Sequence, residues 1–371
     1  MLGQERQHFY WLDTFRFLSA LLVVMHHSRS FLFVSYDQLS LSERSPLNAC
    51  FYALTRLGQE PVICFFALSG FLVGGPAIDR MLKHTFDLTD YVVDRCSRIF
   101  PPLIASLLLT WTIAAVVVGP VNGWHMVGNL LSLQPVIVPP FADNSPLWSL
   151  SYEVWFYALV AVVAVTARQR FTVGLCVVAL LVATLLSLLQ PVYLFCWLLG
   201  IVAYALRRFV RPNKSSAFIA IALLILAVAM LQLASKGAIK WALLERLDAV
   251  VLKLYPLLQL LLAGACGYLF IVAIELKPRT RIALASERFG TYCAGFSYSL
   301  YLTHYPLLQL LSYLRPGQFE VIGLMNISIY AVAVVACCVI AWVISLFVER
   351  NVLTIRTALR RHLANQDPLG A

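Results

Sequence analysis

The stretch FYWLDTFRFLSALLVVMHHSRSFLFV, residues 9–34, indicates what class of protein this is. It is apolar enough and long enough to cross a lipid bilayer as one helix, which takes about 20 residues. Yet it carries Asp13, Arg16 and the neighbouring pair His26 and His27. A charged side chain at the centre of a bilayer costs about 3 kcal/mol or more, so ionisable residues in such a helix indicate a functional site.

The spacing of two of these residues is informative. Arg16 and His27 are eleven positions apart, which on an α-helix is about three turns plus 20° and about 16 Å along the axis. They therefore share one face, with a cation near one end and an imidazole farther in. This arrangement suits a long anionic ligand that anchors its charged head at the rim and reaches inward. A buried histidine pair satisfied by neighbouring helices is the structural alternative.

The composition also predicts a membrane protein. Apolar residues make up 61% of the 371 positions and charged residues only 12%, whereas soluble chains carry about 25% charged residues. The net charge of +10 is spread over short loops, so we expect it to reflect membrane topology and not nucleic-acid binding. The nine cysteines lie mostly in apolar runs without metal-type spacing, so neither a metal site nor a disulfide framework is expected.

Apolar runs predict an all-α, polytopic protein with about ten transmembrane helices and with both termini cytoplasmic. The expected spans are 10–34, 50–75, 99–119, 147–167, 171–190, 192–208, 216–234, 255–275, 290–311 and 321–347. Most of the 28 Lys and Arg residues fall in the segments that this arrangement places inside, as the positive-inside rule requires.

Two further expectations concern segments outside these spans. Residues 121–146 form a long connection without Lys or Arg, and we expect it to cap an outward-facing acceptor site. Residues 1–348 are expected to form one transmembrane domain, which leaves 349–371 as a short cytoplasmic tail.

Two motifs contain residues that suit packing or phosphate binding. In CFFALSGFLVGG, residues 64–75, Ser69 and the following glycine allow helices to approach closely. In DYVVDRCSRIFPPL, residues 90–103, Arg95 and Arg98 are i,i+3 and share a face. Paired guanidinium groups suit phosphate, although positive-inside anchoring explains the same residues.

Two later motifs place polar groups inside apolar helices. In PLWSLSYEVWFYAL, residues 146–159, Ser149 and Glu153 are i,i+4. A buried carboxylate there needs a partner, and His27 is one candidate; a structural ion pair is the alternative. In FSYSLYLTHYPLL, residues 296–308, Tyr301 and His304 lie on one stripe, where a packing or anchoring role is the simpler interpretation.

These motifs, together with the ten-residue spacing between Arg16 and His27 in the first helix, resemble those of the acyltransferase-3 family of integral membrane proteins. The resemblance is to members of the kind that O-acetylates polysaccharides. The resemblance implies a multi-pass acyltransferase in the bacterial inner membrane. It would take an acyl group, expected to be acetyl, from cytoplasmic acyl-coenzyme A. The acceptor would be a hydroxyl of a cell-envelope carbohydrate or a related molecule.

The residues then permit a mechanism as a hypothesis. Arg16, Arg95 and Arg98 would bind the phosphates of the donor, and His27 would act as general base on the acceptor hydroxyl. A transient acyl-histidine is the alternative. Glu153 would orient the imidazole. The expected supporting residues are His26, Ser69, Ser149, Tyr301 and His304.

Two other classes of protein remain as alternatives. A secondary transporter or flippase of an envelope precursor also buries His, Glu and Arg, but an inverted repeat of broken helices is not evident. An unrelated membrane-bound O-acyltransferase would place its histidine later in the chain.

Overall fold

A computed structural model describes residues 10–167, 172–234, 248–276 and 280–366. Within these ranges the chain is all-helical, with one isolated bridge between Phe33 and Phe319. The α-helices are α1 (Tyr10–Leu32), α2 (Pro46–Thr55), α3 (Gln59–Ser69), α4 (Gly75–Leu82), α5 (Leu88–Val117), α6 (Gly123–Leu130), α7 (Leu147–Thr166), α8 (Val173–Leu188), α9 (Pro191–Leu206), α10 (Lys214–Ala234), α11 (Asp248–Glu275), α12 (Arg281–Ala294), α13 (Ser297–Leu314), α14 (Leu324–Phe347) and α15 (Val352–Gln366). The segment Gly70–Gly74 is a π-helix, and three short 3-10 helices span Tyr36–Gln38, Leu41–Glu43 and Phe141–Asp143.

Local sequence signals explain where several helices begin. Ser45 caps α2, its hydroxyl accepting from the Asn48 amide, and Pro46 occupies the first turn, where its missing N–H costs nothing. The Asp87 side chain accepts the Asp90 amide at the start of α5. Such caps satisfy amide groups that have no partner within the helix.

Six segments of the described chain are long and apolar enough to span a membrane: Pro46–Leu82, Leu88–Val117, Leu147–Thr166, Ser215–Ala234, Lys253–Glu275 and Leu324–Leu363. The pair α8 and α9 adds a seventh if it counts as one span. Helices α1 and α13 are not among them, since both carry ionisable and hydroxyl side chains that lower their hydropathy. The protein is thus a helical multi-pass chain, and the count of about ten spans stays a prediction.

The chain divides into two compact units. Unit 1 comprises Met1–Ser19, Glu60–Asp79 and Pro191–Ala294, and unit 2 comprises Ala20–Gln59, Arg80–Gln190 and Gly295–Ala371.

Unit 1 is held together by close helix packing at glycines. A Cβ atom on Gly70 would lie 1.9 Å from the carbonyl oxygen of Trp197, and one on Gly200 would lie 2.0 Å from that of Ala67. Only glycine allows these backbones to come so close. Helix α9 also packs on α11, and α11 packs on α10.

Unit 2 is built around α5, which packs against α7, α13 and α15. The connection before α7, predicted as a long loop, is ordered by buried amide side chains. The Asn129 side chain accepts from the Phe141 amide at 3.1 Å and donates to the Pro139 carbonyl at 2.9 Å. Gln134 donates to the Leu147 carbonyl at 2.9 Å.

Three boundaries differ from the sequence expectation. The predicted span 50–75 is interrupted between α2 and α3, and α5 begins at Leu88, about two turns before Arg95. The segment 349–371, expected to be a simple tail, contains α15, whose described residues pack on α5.

Candidate active site

Two histidines from distant parts of the sequence meet in unit 2. The Nδ1 atom of His27, on α1, lies 2.9 Å from the Nε2 atom of His304, on α13. The two rings are stacked, with centroids 5.2 Å apart and planes 21° apart. His304 is completely buried, whereas His27 is only partly so. The structure therefore joins two residues that the motifs presented separately.

The hydrogen bonds assign the tautomers of a neutral pair. The His304 Nδ1 atom lies 3.0 Å from the Leu300 carbonyl oxygen, which only accepts, so Nδ1 must carry the hydrogen. The Nε2 atom of neutral His304 then has a lone pair and accepts from Nδ1–H of His27. The remaining nitrogen of His27, Nε2, is consequently the unprotonated one.

A proline two residues after His304 explains how α13 is fixed near this histidine. Pro306 has no N–H to give to the Leu302 carbonyl one turn earlier. The Ser106 hydroxyl of α5 donates to that carbonyl at 2.7 Å, and the Asn144 side chain donates to it at 3.3 Å. The free carbonyl thereby ties α13 to α5 and to the segment before α7, which holds the His304 ring in place.

A cavity of about 410 Å³ lies beside His27. Aromatic rings and polar groups share its wall, which consists of His27, Ser30, Phe31, Tyr305, Ser312, Gly317 and Gln318. The Tyr305 ring meets the His27 ring edge-on, with centroids 5.2 Å apart. The Gln318 side chain donates to the Ser30 carbonyl at 2.7 Å, which joins the segment after α13 to α1.

The role of residues 121–146 as a cap over the acceptor site stays a prediction. The cavity is lined by α1, α13 and the segment that follows α13, and not by that connection. The connection instead packs beside α13, where the Ala142 carbonyl accepts from Gln309 at 3.1 Å.

Glu153 does not form the expected pair with His27. Its carboxylate accepts a hydrogen bond from Tyr157, one turn along α7. One turn earlier on α7, the Ser149 hydroxyl lies 2.8 Å from the Tyr301 hydroxyl of α13.

The arginine motif lies on α5 and is already paired. Arg95 forms an ion pair with its neighbour Asp94, and its guanidinium lies 5.6 Å from the centre of the Tyr157 ring. Arg98 is exposed and close enough to Tyr298 to interact electrostatically.

The remaining expected residues occupy other surroundings. In unit 1, Arg16 pairs with Asp13 on the same helix at 3.7 Å, and Ser69 accepts from the Trp197 indole at 3.3 Å. In unit 2, the His26 ring packs so closely on Gly58 that a Cβ atom there would lie 2.6 Å from the ring. Ser69 and His26 therefore have visible packing roles.

Several residues of the cavity wall are not among the expected site residues. Ser30 lies one turn after His27, and Tyr305 follows His304, so helical spacing was available as a clue. Ser312 and Gln318 lie outside all of the motifs described above. Within the described ranges, no group of three or more His, Cys, Asp or Glu residues is arranged to hold a metal ion.

The long apolar helices and the polar side chains among them define a multi-pass membrane protein. The model of the acyltransferase-3 family, described as an acyltransferase domain, matches residues 9–346. This match covers most of the chain, so the protein belongs to that family.

Among curated proteins, the chain is similar to a protein of Haemophilus influenzae that is described as uncharacterized. The two are 25% identical over 122 residues, which is 29% of this chain and 49% of the relative. The chain thus aligns with about half the length of that relative. No solved structure matches the chain.

Proposed function

We propose that this protein transfers an acyl group, expected to be acetyl, from acyl-coenzyme A to a hydroxyl group of a cell-envelope carbohydrate, with His27 as the general base. The reaction would take place in the bacterial inner membrane, with the donor entering from the cytoplasm. The observation that carries the proposal is the hydrogen bond between His27 and His304, because it leaves Nε2 of His27 unprotonated.

The chemistry assigns a role to each histidine. Nε2 of His27 takes the proton of the acceptor hydroxyl as its oxygen attacks the thioester carbonyl. The carbon–sulfur bond then breaks, and the imidazolium returns its proton to the leaving thiolate. Throughout, Nδ1–H of His27 donates to His304, and this bond strengthens when His27 is charged.

His304 therefore takes the role of the orienting group in a catalytic triad, which holds the base in one tautomer. The same tautomer suits the alternative in which Nε2 of His27 attacks the thioester directly. That route gives an acyl-histidine, which the acceptor hydroxyl then resolves.

The cavity beside His27 is suited to the acceptor. Phe31 and Tyr305 offer aromatic surface to the apolar faces of a sugar ring, while Ser30, Ser312 and Gln318 offer groups for its hydroxyls. Pockets of this mixed character, at 300–1,000 Å³, are typical of small-molecule sites.

The donor phosphates are assigned to the arginines. Arg95 lies eleven residues before Ser106, the residue of α5 that bonds the carbonyl near His304. This is about 16 Å along the helix. A donor that binds at both places must carry its charged groups many bonds away from its thioester, as acyl-coenzyme A does. Arg98 is proposed to add to the same charge, and the role of Arg16 stays a prediction from the sequence.

The test is binding and turnover of radiolabelled acetyl-coenzyme A by the purified full chain. We expect binding, slow release of acetate, and transfer of label to one or more members of a monosaccharide panel. Failure to bind any of a series of acyl-coenzyme A thioesters would overturn the donor assignment, and uptake of an envelope precursor without acyl transfer would point to a transporter.

The acceptor assignment has its own matched pair of variants. Ser312→Trp fills the cavity and is expected to abolish transfer to sugar while acetate release continues. Ser328→Trp places the same side chain on an exposed position of α14 and is expected to behave as wild type. Equal sugar transfer by both variants would contradict this placement of the acceptor.

A further inference from the structure

The C-terminal helix α15 is attached to α5 by two ion pairs of different character. Arg356 pairs with Asp94, and the two side chains are only 13% and 18% exposed. Arg360, one turn later, pairs with Asp90 at 2.8 Å, and these side chains are 48% and 56% exposed. The exposed pair is of a kind that contributes little to stability. The buried pair is a different case, because its charges are largely removed from water.

The buried pair is part of a cluster of three charged groups. Asp94 contacts the guanidinium of Arg356 and also that of Arg95, its neighbour in the arginine motif. One carboxylate thus contacts two arginines, and these three groups together carry a net charge of about +1. Burying a charge without full compensation is costly, so this excess suggests a role in binding an anion.

Unpaired hydrogen-bond donors in this cluster also suggest that it binds an anion. The Nε–H groups of both Arg95 and Arg356 are buried, and neither finds an acceptor among the described residues. Buried donors of this kind normally have a partner. An anion with several oxygens, such as a phosphate, supplies acceptors of the right type, and a planar guanidinium binds it through two nitrogens.

We propose that α15 is part of the donor site, with Arg356 binding a phosphate of acyl-coenzyme A beside Arg95. This inference rests on the proposed function, because it assumes that the arginine motif receives the donor. Asp94 positions the two guanidinium groups side by side. The C-terminal segment is then a component of the donor-binding site, although it contains none of the sequence motifs described above.

The experiment measures binding of acetyl-coenzyme A and of S-acetyl-pantetheine, which has the same thioester arm without phosphates, to the full chain in detergent. We expect Arg356→Ala to raise the Kd for acetyl-coenzyme A at least tenfold, because charge-assisted hydrogen bonds are lost. Turnover of S-acetyl-pantetheine should be unchanged. The matched control Arg360→Ala, on the same helix, should stay within twofold of wild type in both measurements.

A second variant keeps the test sound if Arg356→Ala unfolds. Arg356→Lys preserves the charge opposite Asp94 but lacks the planar fork, so it should melt near the wild-type Tm and still bind acetyl-coenzyme A several-fold more weakly. If Arg356→Lys binds acetyl-coenzyme A with wild-type affinity and Arg356→Ala does not fold, then Arg356 has only a structural role in attaching α15 to α5. Equal weakening by Arg356→Ala and Arg360→Ala would lead to the same conclusion.

The outcome also separates this inference from the proposed function. If wild type binds acetyl-coenzyme A and Arg356→Ala binds it equally well, only the role of α15 is lost. If wild type binds no acyl-coenzyme A, the donor assignment fails and this inference fails with it.

Discussion

The histidine pair and the arginine cluster are both in unit 2, and each joins residues from two helices, yet they are built on opposite electrostatic principles. His27 and His304 form a neutral pair with one hydrogen bond beside an open cavity. Arg95, Asp94 and Arg356 form a charged cluster whose members are already paired with one another.

The difference follows from the cost of burial. Charged groups in a poorly hydrated region need counter-ions nearby, and Asp94 is the counter-ion of both arginines. An imidazole, unlike a guanidinium, has a neutral form near neutral pH, and in that form a histidine pair needs no counter-ion. Such a pair can therefore keep one lone pair free, which is what a base requires. The cluster is suited to binding, and the pair is suited to chemistry.

The strongest test of this division is His27→Ala. We expect kcat for acyl transfer to fall about 1,000-fold, since general-base catalysis contributes roughly 100- to 10,000-fold. The Kd for acetyl-coenzyme A should be unchanged, because the arginine cluster is intact. Rates come from radiolabel transfer and Kd from equilibrium binding, with the Tm as a check on folding. A fully active variant would remove His27 from the mechanism.

The reverse experiment is Arg95→Ala. The KM for acetyl-coenzyme A should rise 10- to 100-fold, as expected when charged hydrogen bonds to phosphate are lost. The kcat measured with S-acetyl-pantetheine should stay at the wild-type value, because that donor has no phosphate to bind. A large drop in this kcat would mean that the cluster acts on the chemical step and that the two regions are not separate.

A smaller effect is expected from His304, which acts through His27. His304→Phe removes the acceptor for Nδ1–H of His27 at similar volume, and kcat should fall about tenfold or more while donor binding is unchanged. His304→Gln supplies an amide oxygen in its place and should recover part of the loss. A merely structural role for His304 predicts no such recovery, so steady-state kinetics of the two variants, together with their Tm, decide between the interpretations.

The least effect on kinetic constants is expected in unit 1, which contributes neither histidine nor Arg95. Gly70→Ala places a Cβ atom 1.9 Å from a backbone oxygen, and a clash with backbone is not relieved by a rotamer change. We expect less folded protein and a lower Tm, with wild-type kcat in the fraction that folds. Gly264→Ala, on α11, meets nothing within 4 Å and should leave both yield and Tm near wild type.

Much of the candidate site could be predicted from the sequence, and the part that could not depends on pairing. His27, His304, Arg95 and Glu153 are each visible as polar groups in apolar or motif-bearing helices. Which of them meet is decided by helix packing. His27 meets His304 across α1 and α13, whereas Glu153 accepts from Tyr157 on its own helix.

The sequence by itself determined the class of protein, the all-helical fold and the family, because apolar length and local motifs are properties of contiguous residues. Only the tertiary structure decided that His304 is the partner of His27, that the cavity is lined by Ser312 and Gln318, and that Arg356 joins Arg95. Those partners lie tens to hundreds of residues apart. Helix packing brings them together, and no short-range pattern records which faces pack.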